Sequence, residues 1–393
     1  MEMEQLNILA ISYGCSSGWL AASYSELQGE RTPLTTGPLS KHDLGWVAAS
    51  TPLGSLLAIS CLTWLADKYG RKSFLMLMAV PTFLNWLIIS VATRPIHLCL
   101  ARFLAGAGAG GIFAIVPVYI TEIAEDRLRS TLGTFLSLGC ALGFLIIILP
   151  GNYLSYIVVA RIMCALPLIF AACFMLQPET PQFLAAQNSA KAEAALKYYR
   201  GIDCKAELDV ELLQTLSKST AGHANKENCS FADLLPPKAR KAFFIGFGMV
   251  LLNQCSGCLT LEFYIAHIIS DTGAGEVITI GGILQLVGTY AATHFVECAG
   301  RKTMLLISMV GICLGELCMS AYFYLTQLGY DTSSFSWVLT ASYSLMISLA
   351  CCGALTVGYV VMAEVCPPLI RSLAVRCHTF CIFLIAIISL KVN

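Results

Sequence analysis

Asp67-Lys68-Tyr69-Gly70-Arg71-Lys72-Ser73 is answered 230 positions later by Glu297-Cys298-Ala299-Gly300-Arg301-Lys302-Thr303. Each stretch is an acid, two further residues, then Gly-Arg-Lys and a hydroxyl side chain, set in a chain that is otherwise largely apolar. A second matched pair follows in the same order, Glu122 with Arg129-Ser130 and Glu364 with Arg371-Ser372, at an offset of 242. Two signals recurring in order at a long period mark an internal duplication.

On either side of these loops the apolar residues fall in long runs. Eleven runs approach the roughly 20 residues that an α-helix needs to cross about 30 Å of hydrocarbon. They centre on Leu6 to Tyr24, Leu44 to Leu65, Phe74 to Ala92, Ile96 to Ile120, Leu132 to Leu154, Ile157 to Leu176, Phe243 to Ile269, Val277 to Val296, Met304 to Leu325, Trp337 to Met362 and Leu373 to Leu390. Period-2 alternation is missing, so the reading is helices and not a barrel. The repeated Gly-Arg-Lys loops follow runs two and eight, and the Glu-to-Arg spacings follow runs four and ten. The duplicated unit is therefore a six-helix bundle, and two parallel copies of such a unit enclose a solute site near the midplane in many transporters.

Composition agrees. Of the 393 residues 57% are hydrophobic and 12% charged, against roughly 25% charged in soluble domains, and the mean hydropathy is +0.73. Lipid must be the solvent for most of the chain. Formal net charge is zero, which speaks against a nucleic-acid partner. The distribution of Lys and Arg is uneven: with the N-terminus inside, the outer loops carry about 3, namely Arg31, Lys41 and Arg94, and the inner loops about 17. The positive-inside rule then predicts a cytoplasmic N-terminus. Met1-Glu2-Met3-Glu4 lacks a cationic n-region, so run one reads as a membrane helix and not a cleaved signal.

The 18 cysteines fall almost entirely within apolar runs and read as small hydrophobes without a disulfide framework. Asn228-Cys229-Ser230 spells a glycosylation sequon in a loop assigned to the inside, where it is expected to be unused. Between runs six and seven, Gln177 to Lys241 is polar, with amphipathic spacing at Leu208, Leu212, Leu213 and Leu216. Gly201 reads as a helix stop, and Ser230 with Asp233 as a capping box. The expected organisation is a bundle over 1–176, a cytoplasmic helical linker over 177–241 and a second bundle over 242–393.

Six stretches carry a family resemblance across nearly the whole chain: Asp67 to Lys72, Pro117-Val118-Tyr119-Ile120-Thr121-Glu122-Ile123-Ala124, Pro178-Glu179-Thr180-Pro181, Asn253-Gln254-Cys255-Ser256-Gly257, Gly300-Arg301-Lys302 and Glu364-Val365-Cys366-Pro367. In them the chain resembles the sugar porters of the major facilitator superfamily, most nearly the trehalose-transporter-like members of insects. The resemblance implies an all-α integral membrane protein of two six-helix bundles, working by alternating access at the plasma membrane. Twelve membrane helices belong to that pattern, so the second bundle is expected to lack its last helix here.

The resemblance also assigns candidate residues. Amides suit a sugar because they donate and accept at once, and aromatic faces suit its C–H surface. Asn253 and Gln254 with Ser256, Phe263 and Tyr264 match the family's sugar-contacting Gln-Gln motif, although its later Asn is Leu259 here. Gln285 retains an amide, Ser137 stands where glucose carriers have Gln, and Leu355-Thr356-Val357-Gly358-Tyr359 replaces Gly-Pro-Ile-Pro-Trp, leaving Tyr359 as the aromatic of that segment. For Gln285 and Ser137 plain helix-helix hydrogen bonding is the alternative. Asp67, Arg71, Glu122, Arg129, Glu179, Glu297, Arg301, Glu364 and Arg371 form an expected inner-gate charge set, pairing across the inner face when the cavity opens outward, with topogenic charge and helix capping as the bland alternative. Arg102 matches the family's Gly-Arg pair, with snorkelling to the outer surface as the alternative. Glu262 and Glu316 lie within runs seven and nine, either as coupling or substrate groups or as neutral or paired interior residues.

Run one holds no acid where proton-coupled members of that family carry one, so the resemblance implies facilitated diffusion over proton symport. Enzyme-like spellings lack their settings: Gly14-Cys15-Ser16-Ser17-Gly18 has no strand-turn-helix, Gly106, Gly108 and Gly111 have no preceding strand and read as helix packing through Gly106 and Gly110, and Cys255-Ser256-Gly257-Cys258 has no second pair. No enzyme, cofactor or metal is expected. The expected function is facilitative transport of trehalose or a hexose; a non-transporting sugar sensor or inactive relative, and a proton-coupled symporter, are the alternatives.

Overall fold

The computed structural model describes residues 2–30, 32–124, 129–185, 187–200, 212–213, 215–216, 235–268, 274–330, 332, 335–358, 361, 365–366 and 371–392; for 2–4, 129–131, 200, 267, 274–275, 296–297, 371–372 and 392 it describes the backbone alone. Among these residues every regular element is a helix. In the first half they are α1 (Glu2–Gln28), α2 (Lys41–Cys61), α3 (Thr63–Tyr69), α4 (Arg71–Val91), α5 (Pro95–Ile123), α6 (Arg129–Gly151), α7 (Tyr156–Met163) and α8 (Ala165–Phe174). Short helices α9 (Pro181–Ala185) and α10 (Ser189–Arg200) follow. Then come α11 (Pro237–Cys255), α12 (Cys258–Ile268), α13 (Ala274–Ala299), α14 (Arg301–Gln327), α15 (Trp337–Cys352) and α16 (Arg371–Val392).

Each of the eleven apolar runs is thus occupied by one helix or a broken pair. Nine spans among the described residues are long and apolar enough to cross a membrane, and Trp337–Cys352 is a shorter apolar helix. Their lipid-facing sides carry exposed large hydrophobics such as Leu77, Val91, Ile162, Val310 and Leu317, as expected where the solvent is hydrocarbon. The chain is an integral membrane protein.

The duplication is visible in the packing. In the first half α1 pairs with α6, α2 with α5 and α4 with α5; in the second α11 pairs with α16, α13 with α15 and α14 with α15. The same three pairings recur because the same faces are apolar and small. The G-x-G-x-x-G stretch shows how. Gly106 and Gly110 lie against the backbone of Thr51 and Ser55 on α2, while Gly108 and Gly111 receive Thr82, Met78 and Phe74 of α4. Ser55 Oγ donates to the Gly106 carbonyl at 2.8 Å across the α2–α5 seam. With no hydrophobic drive between helices in lipid, such backbone-to-backbone approach and interhelical hydrogen bonding are what hold them. Gly14 of the G-x-S-x-G spelling does the same on α1, resting on Cys140 of α6.

Among the described residues the halves meet at the end that carries Trp46, Asn152 and Lys391. α2 packs on α16, α6 on α13, and α1 on α12. Asn152 Nδ2 donates to Thr279 Oγ1 at 3.1 Å, Lys391 Nζ lies 4.3 Å from the centroid of Trp46, and Gly45 faces Leu390 and the Tyr264 hydroxyl. Of the linker features expected from the sequence, α9 and α10 lie within 177–241 and Leu212, Leu213 and Leu216 are helical, whereas Gly201, Leu208, Asn228, Ser230 and Asp233 lie outside the described residues.

Candidate functional site

Between the two halves lies a cavity of about 630 Å³. Its first-half wall comes from α1, α2, α5 and α6, through Tyr13, Ser17, Thr51, Phe113, Thr134, Ser137 and Cys140; its second-half wall comes from α11 to α13, α15 and α16, through Gln254, Glu262, Phe263, Gln285, Thr289 and Thr379. A site of roughly 300–1,000 Å³ with few polar groups on apolar walls is the size at which small molecules are held.

Two breaks in the second half shape this wall. Run seven is interrupted between α11 and α12, where Gly257 adopts φ +71. Run ten stops at Cys352, and 353–356 leave the helix. The freed backbone groups are met locally: Asn253 Nδ2 donates to the Ala354 carbonyl at 3.2 Å, the Ala354 N–H donates to Ser308 Oγ at 2.9 Å, and Thr356 Oγ1 donates to the Cys351 carbonyl at 2.6 Å. Irregular backbone at membrane depth is tolerated where it lines a cavity or is buried in protein.

Four of the eight sequence-assigned sugar residues line the cavity: Gln254, Phe263, Gln285 and Ser137. Gln254 Nε2 and Gln285 Oε1 are buried without a partner, and Gln285 Nε2 points at Glu262 Oε1, 3.4 Å away. The other assigned residues are held elsewhere. Asn253 bridges the two helix breaks, Ser256 Oγ donates to the Asn253 carbonyl at 2.8 Å, and the Tyr264 hydroxyl donates to the Leu390 carbonyl at 2.8 Å. Tyr359 lies outside the described residues. A motif read in one dimension marks a helical segment, but one turn of helix places neighbours on different faces; that is why Gln254 faces the cavity and Asn253 does not. Residues that sequence reading passed over are the wall hydroxyls Thr134, Thr260, Thr289, Thr379 and Ser389. Nothing set them apart from the many Ser and Thr of the membrane runs.

The charge set at the other end is a compact local structure. Arg71 Nε and Nη2 each lie 3.0 Å from Glu122 Oε1, Arg71 Nη2 lies 3.6 Å from Asp67, and Thr180 Oγ1 donates to Glu122 Oε2 at 2.6 Å. Glu179 accepts from the backbone N–H of Lys72 at 2.9 and 3.1 Å, so a carboxylate stands at the N-terminus of α4, where the exposed N–H groups and helix dipole favour it. Gly70, at φ +101, is where the chain turns; a Cβ there would also strike the Glu179 carboxylate. Gly300 repeats the conformation at φ +80. These pairings of Asp67, Arg71, Glu122 and Glu179 stay within the first bundle and the start of the segment that follows it. Arg301 begins α14; Glu364 and the side chains of Arg129, Glu297 and Arg371 lie outside the described residues.

Arg102 does not reach the membrane surface. It is 0% exposed, its Nη1 donates to the Ser16 carbonyl and to Ser16 Oγ at 3.0 Å, and its guanidinium lies 5.8 Å from the centroid of Trp19. Glu316 lies apart from the central cavity, in a hollow with Leu261, Ile268, Met319, Ser320 and Phe323.

The family described as "Sugar (and other) transporter" matches residues 12–390. The chain is 27% identical to a facilitated trehalose transporter Tret1 of Culex quinquefasciatus, over 88% of this chain and 68% of that protein. It is 28% identical to a protein of the same name from Drosophila mojavensis, over 95% of this chain and 44% of that one. It is 30% identical to the sugar transporter ERD6-like 6 of Arabidopsis thaliana, over 82% of this chain and 67% of that protein. The chain thus spans less than half the length of the Drosophila relative. Among solved structures, the partially occluded inward-open xylose transporter XylE of E. coli superposes with a TM-score of 0.79 at 16% identity, covering 99% of this chain and 89% of that one. The proton:xylose symporter form of XylE bound to 6-bromo-6-deoxy-D-glucose gives a TM-score of 0.75 at 18% identity, over 99% and 88%. The fold is that of the major facilitator superfamily.

Proposed function

This chain belongs to the sugar transporter family, and from that footing we propose that it carries a sugar across the membrane by alternating access, without proton coupling through run one. The observation that carries this reading is the cavity shared by both halves, with the amides of Gln254 and Gln285 on one wall and the hydroxyls of Ser137 and Thr134 on the other. Amides and hydroxyls in that arrangement match the alternating donors and acceptors of a polyol. Asn253, Ser256 and Tyr264 support the site from behind by holding the broken helices. Tyr359 and the Phe263 ring are proposed to lie along the sugar's C–H face.

The proposed organisation is a first bundle over 1–176, a linker over 177–241 and a second bundle from 242, in the plasma membrane with the N-terminus cytoplasmic. In that orientation the contacts through Asn152, Thr279, Trp46 and Lys391 close the outer side, and the charge set of Asp67, Arg71, Arg129, Glu179, Glu297, Arg301, Glu364 and Arg371, with Glu122, belongs to the inner gate. Arg102 is proposed to be a fixed structural cation of the first bundle.

Uptake of radiolabelled trehalose and glucose into vesicles containing the purified chain tests this. Saturable uptake with counterflow is expected; binding without flux would make the protein a sugar sensor. The altered segment 355–359 is what favours that second reading. Gln254→Ala is expected to reduce uptake by about 1–3 kcal/mol of lost recognition, roughly five- to 150-fold, at unchanged surface expression. Unchanged uptake kinetics would remove Gln254 from the site.

A further inference from the structure

Glu262 is the one residue with a formal charge among the described residues that line the central cavity. It sits on α12, five residues past the helix break at Gly257, inside run seven. Its described polar contact is with a neutral group, Gln285 Nε2 at 3.4 Å. No Lys, Arg or His lines the same cavity among the described residues, and an acid at membrane depth that lacks a cationic partner marks a functional group.

The chemistry of the pair narrows what it receives. With its nitrogen turned to Glu262, Gln285 leaves its own Oε1 buried and without a partner. When Glu262 is ionised, its two carboxylate oxygens and this amide oxygen are three acceptors around one corner. A sugar hydroxyl both donates and accepts, and these three oxygens return no donor. A protonated amine carries three donors, no acceptor and a positive charge, and it satisfies all of these groups at once. The hydroxyl-bearing wall opposite, Thr134 and Ser137, remains for the rest of the ring.

Resting on the transport reading above, we propose that the Glu262–Gln285 corner is an ammonium subsite, and that the carrier prefers a sugar bearing a protonated amine over its neutral counterparts. Glu262 is the specificity-determining residue of that preference.

Vesicles containing the full chain, assayed at neutral pH, decide it. Uptake of radiolabelled glucosamine is compared with that of glucose and N-acetylglucosamine in the wild type, Glu262→Gln and Glu262→Asp. The expected result is a glucosamine-to-glucose ratio of kcat/KM of about ten or more in the wild type, a ratio near one in Glu262→Gln, and partial retention in Glu262→Asp. Equal handling of the three sugars by the wild type overturns the proposal whatever the variants do. Accumulation of neutral glucose driven by an imposed proton gradient and lost in Glu262→Gln overturns it too, assigning the carboxyl to proton coupling. Saturable glucose uptake without amine preference sinks the ammonium subsite alone, whereas absence of saturable uptake for every sugar sinks the transport reading beneath it.

Discussion

Arg71→Ala is expected to destabilise the protein by about 3–5 kcal/mol, the cost of removing one partner of a buried ion pair. Its side chain is 11% exposed and that of Glu122 is 4% exposed, and the pair is made through two guanidinium nitrogens at 3.0 Å. Without Arg71, Glu122 keeps the Thr180 hydroxyl as its described partner, in a place where water cannot restore its solvation. The Arg71 Nη1 bond to the Ala66 carbonyl at 3.3 Å is lost as well, freeing the turn between α3 and α4. Thermal unfolding in detergent measures this, and Glu122→Gln and the double variant complete a cycle. The double variant should be less destabilised than the sum of the singles, because the second substitution removes the stranded charge left by the first. A shift of less than about 0.5 kcal/mol for Arg71→Ala, the range of ordinary surface substitutions, would show that the motif serves topology and not stability. The conformational consequence is read separately: breaking the charge set should favour the inward-facing state, seen as raised cytoplasmic reactivity of cavity cysteines such as Cys140.

The second large effect is expected at Gly106. The Thr51 carbonyl of α2 occupies the place where a Cβ would stand, and that obstacle is backbone, which cannot rotate aside. Gly106→Val must push α5 from α2 and break the Ser55-to-Gly106 hydrogen bond. Overpacking of this kind costs about 1–3 kcal/mol in soluble cores, occasionally more, and here the loss of close helix approach adds to it. The internal control is Gly248 of α11, where a Cβ meets nothing within 4 Å. Gly248→Ala should be neutral or stabilising by about 0.5–1 kcal/mol, since alanine restricts the unfolded chain and favours helix. If both substitutions shifted the unfolding midpoint alike, the contact at Gly106 would not be a determinant of the α2–α5 packing.

Much of this was legible without coordinates. Eleven runs long enough to span lipid, and the twice-repeated loops, point to a helical membrane protein of two similar halves, because a bilayer admits only helices or closed barrels and period-2 alternation is missing. Gly70 and Gly300 hold the same place in the repeated loops, and both adopt positive φ. Gly106 and Gly110 could be read as a packing stripe, and they face α2. The site was less legible. Asn253 and Gln254 are adjacent in a motif that suggests one role for both, yet the first is used by the Ala354 carbonyl while the second faces the cavity. Glu262 looked no different from Glu316; the fold sends one to the central cavity and the other to a lateral hollow.

By itself the sequence determined the solvent, the helical class, the duplication and the family, since each follows from apolar run length or from residues whose order along the chain is the signal. Only the tertiary structure decided which polar side chains share a cavity, which end of the molecule is closed, and that Arg71 finds Glu122 at a separation of 51 positions. The physical reason is that burial in lipid constrains residues one at a time, whereas a binding wall depends on the rotation of several helices about their axes, and that rotation is set by contacts between residues far apart in the chain.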